Sequence, residues 1–114
     1  MISEELLSLV LGYRVLKIDN IEANEMTYTV KDYFDIDGQL DLNLDTLGRL
    51  CKEWISNQSY MIWTYEHEDT VAINLRDNES KKVYSSPSMS VFTELEAIIK
   101  ATEFVALEKG LLSV

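Results

Sequence analysis

The sequence predicts an α+β fold, and three observations carry that expectation. In the middle of the chain, Leu47, Leu50, Cys51, Trp54 and Ile55 recur at i, i+3, i+4, i+7 and i+8, the spacing that lines up one apolar face of an α-helix. That face needs a sheet to cover. Directly after it, segments 60–66 and 70–76 are rich in aromatic and β-branched residues and are separated by the polar corner His67-Glu68-Asp69, which predicts two paired strands. Finally, Val91, Leu95, Ile98, Ile99, Thr102, Val105 and Ala106 form a long apolar face ahead of Gly110, which predicts a helix ending near Lys109.

The elements follow in order. Ser3 is placed to cap a short helix carrying Leu6, Leu7, Val10 and Leu11, with Glu4 and Glu5 near its positive end and Gly12 as its stop. The alternation over 13–18 predicts a strand. After a polar link over 19–24, Met26, Tyr28 and Val30 alternate with Thr27, Thr29 and Lys31, so the two strands can pair as a hairpin. Leu40, Leu42 and Leu44 alternate with Asp41 and Asn43 and read as extended after the turn signal Asp37-Gly38, although no partner strand is identifiable. Asn43 and Asp45 both suit the cap of the central helix, within which Gly48 either weakens the helix or permits close packing. Beyond the central strand pair, Asp77-Asn78-Glu79-Ser80 is a polar turn, and 82–85 is a third strand completing a meander before Pro87. Ser88, Ser90 and the Thr93/Glu96 pair all suit the start of the last helix. The helices are thus expected near 3–11, 45–57 and 90–109.

At 114 residues the chain is expected to be a single domain, 1–114, able to bury roughly 65% of its unfolded surface. With 46% apolar and 26% charged residues it is expected to fold rather than stay disordered. The net charge of −10 opposes direct binding to a phosphate backbone or to an anionic membrane. A single cysteine, Cys51, precludes an internal disulfide and sits on the apolar helix face, which fits a reducing cytoplasm. The apolar run 6–11 is interrupted by Ser8 and preceded by glutamates, so neither a secretory leader nor a membrane span is expected there.

Several local phrases resemble the phage ABA sandwich domain family of small phage and prophage proteins. They are Val10-Leu11-Gly12-Tyr13 at the end of the first helix, Cys51-Lys52-Glu53-Trp54 ahead of a tyrosine-containing strand, and Leu95-Glu96-Ala97-Ile98 with Lys100-Ala101 in the last helix. Together they span about half the chain. The resemblance implies a three-layer α-β-α sandwich with a central, mainly antiparallel sheet, encoded by a phage or prophage and therefore acting in a bacterial host. It implies no catalytic residues. The stretch 19–45 departs from the family pattern.

No constellation for catalysis, cofactor binding or metal binding emerges from the sequence. His67 lies in a solvated corner without further His or Cys ligands around it. Asp35, Asp37 and Gly38 match part of a calcium loop, but Tyr33 and Leu44 stand where that loop needs carboxylates. The four glycines are scattered, and none precedes Lys-Ser or Lys-Thr. Trp54, Trp63 and Tyr65 read as a layer of core, with a ligand-stacking platform as the alternative.

The unusual feature is charge: between Asp19 and Asp45, eight carboxylates against the single Lys31 leave a local net charge of −7. Tyr33 and Phe34 are interleaved with Asp32, Asp35, Asp37 and Asp41, a mixture of rigid aromatics and charge suited to a protein-binding surface. A merely solubilising face is the plainer reading. The expected function is that of a non-enzymatic accessory protein that binds a basic host protein. In its sharpest form this is an anti-defence inhibitor that mimics nucleic acid and occupies the channel of an effector such as a CRISPR complex. The alternative is a binding protein that sequesters a small molecule or nucleotide between helix and sheet, using Trp63 and Tyr65 with Arg14, Arg49 or Arg76. Exposed strand edges or the last helix leave room for a homo-oligomer.

Overall fold

The structure is a computed structural model that describes residues 1–31, 37–85 and 93–113, with Asp37 and His67 described for their backbone only. Helix α1 spans Glu4–Leu11. The Ser3 hydroxyl accepts from the Leu6 N–H at 3.2 Å, and Gly12 closes the helix at φ 79°, where a side chain would be strained. Ser8 ties this helix to the first strand, because its hydroxyl accepts the Val15 N–H at 3.0 Å while donating to the Glu4 carbonyl at 2.7 Å.

Strands β1 (Val15–Glu22), β2 (Glu25–Lys31) and β3 (Asp37–Asn43) form an antiparallel meander in the order β1-β2-β3. The β1/β2 turn consists of Ala23 and Asn24 alone, with Ala23 at φ 49°. The strand expected to stop at residue 18 therefore runs on through the link, and β3 finds its partner in β2, with Leu40 opposite Tyr28 and Leu42 opposite Met26. Met26 and Tyr28 are buried, and the Tyr28 hydroxyl bonds that of Tyr13 at 2.8 Å.

Helix α2 (Leu44–Asn57) starts where β3 ends. Of the two candidate caps, Asn43 serves: its side-chain oxygen accepts from the N–H groups of Asp45 and Thr46. The Leu44 N–H also donates to the Asn24 carbonyl at 2.8 Å, pinning the helix to the β1/β2 turn. Leu47, Cys51 and Ile55 are completely buried, as the periodicity predicts. Gly48 faces α3, but a Cβ there would meet Leu95 and Ile98 methyls at 3.6 and 3.8 Å, which is ordinary contact. The glycine is thus not required by packing. Gly48→Ala is expected to raise stability by about 0.5–1 kcal/mol through helix propensity, read as a higher midpoint in urea denaturation. A lower midpoint would show that the α2/α3 contact has no slack.

A second antiparallel sheet holds β4 (Tyr60–His67), β5 (Thr70–Asp77) and β6 (Val83–Tyr84), in the order β4-β5-β6. Asp77 organises the β5/β6 turn by accepting from the N–H groups of Glu79 and Ser80. Those bonds hold its carboxyl below the usual carboxylate range, with the Glu79 N–H the largest cause. Helix α3 (Glu94–Glu108) is capped by Thr93, whose hydroxyl accepts the Glu96 N–H at 3.2 Å, and the chain turns off at Gly110 (φ 69°). Ser88, Ser90 and Val91, which the sequence places at or before the start of this helix, lie outside the described residues.

The class is therefore α+β with antiparallel pairing and three helices, but the described strands fall into two three-stranded sheets rather than one central sheet. The division has a local cause. The chain leaves β3 directly into α2, so β4 begins after a helix and pairs forward with β5. Helices α2 and α3 pack on each other, α2 also on β4 and α3 on β5, while α1 packs on β1; the buried side chains form one cluster reaching from Leu6 and Met26 to Ile73 and Val105. Among the described residues, no helix is long and apolar enough to cross a membrane.

Candidate functional site

The β2 alternation sends Met26 and Tyr28 inward and leaves Thr27 and Thr29 on the opposite face. The register puts Asp41 beside Thr27, and the Thr27 hydroxyl donates to the Asp41 carboxylate at 2.6 Å. On the other flank, the Thr29 hydroxyl donates to Asp19 at 2.5 Å, and Lys17 lies 3.5 Å from the same carboxylate. Glu22 and Glu25 face each other across the end of β1 and β2, both exposed. Below them is a depression of about 450 Å³ lined in part by Asn20, Glu22, Glu25 and Asn43. The result is a polar sheet face on which Asp19, Glu22, Glu25 and Asp41 converge. The threonines orient two of these carboxylates, so their positions are fixed before any partner arrives.

Of the residues predicted to form the binding surface, Asp41 is on this face and exposed. Asp37 opens β3 opposite Lys31, which places it at a register position on the same face. Asp32, Tyr33, Phe34 and Asp35 lie outside the described residues. Thr27 and Thr29, which hold the carboxylates, are not among the predicted residues. Their alternation with Met26, Tyr28 and Val30 is the signal that reveals them.

The expectation that Trp63 and Tyr65 are core is corrected. Trp54 is half-buried against the core, but Met61, Trp63 and Tyr65 are 49, 40 and 43% exposed. The physical reason is strand period: Tyr60 is buried on the helix-covered face, and Thr64, on the same side, donates to Glu94 at the start of α3. The alternate residues of β4 consequently point away from the helices. Asn74 lies opposite Trp63 on β5, and its buried Oδ1 has no hydrogen-bond donor among the described residues.

The groups needed for a nucleotide pocket are dispersed. Arg49 pairs with Glu53 on α2 at 3.2 Å, Arg76 is on β5, and Arg14 precedes β1. A groove of about 340 Å³ does lie between α2 and α3, but its Lys52 is 3.3 Å from Glu94. Burial pushes the Cys51 thiol up to about 11, against a weaker opposing hydrogen bond with Thr102, so it is protonated at neutral pH and poorly nucleophilic. Among the described residues, no three His, Cys, Asp or Glu side chains gather as a metal site would require. No family model, curated protein or solved structure matches the chain.

Proposed function

We propose that this chain is a non-enzymatic accessory protein of phage or prophage type that binds a basic protein through the acidic outer face of the β1-β2-β3 sheet. It acts by competition, with Asp19, Glu22, Glu25 and Asp41 taking the place of phosphates against Arg and Lys in a nucleic-acid channel of a host defence effector. The observation that carries the reading is the fixing of Asp19 and Asp41 by Thr29 and Thr27 on one exposed strand face. Isolated surface carboxylates contribute little to binding, whereas several held on one face create a field that steers a basic partner and sets its register. The phage assignment and a three-layer α-β-α stacking rest on the resemblance of the local sequence phrases.

The test is affinity capture from a bacterial lysate at low and moderate salt, followed by competition between the captured protein's nucleic acid and this chain. A basic nucleic-acid-binding protein is expected, released as salt rises. The double variant Asp19→Lys/Asp41→Lys is expected to weaken that binding by at least about tenfold, while Glu4→Lys on α1 leaves it unchanged. Equal affinity of all three proteins would remove the acidic face from the mechanism.

A further inference from the structure

We infer that β4 is a self-complementary edge through which two copies of this chain pair antiparallel, joining their β4-β5-β6 sheets into one six-stranded sheet. This inference is independent of the function proposed for the other sheet. Strand β4 ends the order β4-β5-β6, and among the described residues no strand pairs with its other side. An edge carrying exposed Met61, Trp63 and Tyr65 on one face invites further pairing.

The sequence of the strand selects the occupant. A two-fold axis at Trp63 sets Trp63 against its own copy, Met61 against the partner's Tyr65, and Ile62 against the partner's Thr64. Each member of the apolar stripe then has an apolar neighbour across the pair, with a Met–aromatic contact on either side of a Trp pair. Moving the axis to Ile62 or Thr64 sets Tyr65 against Ser59 or Met61 against His67 and breaks the stripe. The Trp63 register also opposes no two like charges within the strand: Glu66, its one carboxylate, faces the partner's Tyr60. In each copy Lys109 lies over the Tyr60 ring, its Nζ 5.7 Å from the centroid. Directly opposed residues in an antiparallel pair have Cβ atoms about 5 Å apart, so Glu66 meets the partner's Lys109, twice by symmetry. Asp77, Glu79 and Glu108 also act on Tyr60; Asp77 belongs to β5, one strand further from the axis, and Lys109 is the charged group stacked on the ring.

Sedimentation equilibrium up to about millimolar concentration tests the pairing on the intact chain. The natural sequence is expected to sediment at twice its 13.1 kDa chain mass, and Trp63→Glu as a monomer with an unchanged far-ultraviolet circular dichroism spectrum. Glu66→Lys and Lys109→Glu are each expected to raise the dimer dissociation constant about tenfold, and the double variant to return it close to the natural value. A natural chain that remains monomeric overturns the inference. So does a dimer that persists in Trp63→Glu, or one indifferent to both single charge reversals.

Discussion

Replacing Leu47 by Ala is expected to destabilise the protein by about 3–5 kcal/mol, a large part of the roughly 5–15 kcal/mol that holds a domain of this size together. Leu47 is completely buried on α2, the helix that packs on β3, β4, α1 and α3. Its loss removes transfer free energy and leaves a cavity between elements that are too constrained to collapse around it. Because α2 belongs to the cluster that spans both sheets, the loss should appear as one transition. In urea, circular dichroism and tryptophan fluorescence should shift to lower midpoints together, with the slope unchanged. Leu40→Ala is the control: Leu40 lies in the middle of β3 but is 44% exposed, and its loss should cost below about 1 kcal/mol. Similar losses at both positions, or separated transitions by the two probes, would refute a shared core organised on α2.

That contrast shows where the sequence was informative. Leu40, Leu42 and Leu44 alternate identically on paper, yet only Leu44 is buried, because α2 starts there and covers it. Local chemistry was legible: Ser3 and Thr93 cap as expected, Gly12 and Gly110 take the left-handed backbone their positions need, and Lys31, Leu40 and Leu42 lie in strands, whereas Asp37-Gly38, which reads as a turn, is paired within β3, and Leu44, which reads as extended, opens α2. Pairing between distant segments was not. β3 joins β2 through register, which no residue type encodes, and the Ala23-Asn24 turn hides because alanine is not the usual residue for a positive φ. The same limit governed the sites. Asp41 could be named from charge alone, whereas its partner Thr27 and the Asp19–Thr29 pair on the other flank of β2 come onto one face only once three strands are side by side. Apolar residues on both faces of β4 concealed which face the helices cover.

Stability is expected to fall steeply as the pH rises from about 9 through about 11, and the buried hydroxyl and thiol groups dictate the sign. In the unfolded chain Cys51 loses its proton near its ordinary value of 9.0, while in the folded protein burial pushes the thiol up to about 11. Burial likewise raises Tyr28, whose hydroxyl also bonds Tyr13, and burial with nearby carboxylates raises Tyr60. All three groups are folded in their neutral forms. Below pH 9 both states are protonated and the contribution is fully present; above it the unfolded chain releases protons that the folded chain retains, which favours unfolding. A displacement of two pH units at Cys51 alone corresponds to a loss of about 2 kcal/mol by pH 11, and the tyrosines add to it above pH 10. Urea denaturation at intervals between pH 8 and 11 should trace this decline. Cys51→Ala, although less stable at pH 8 because it removes a buried side chain, should decline less over the same interval. A natural chain whose stability is flat across that range, or a variant that declines as steeply, would mean that Cys51 is not held neutral in the core.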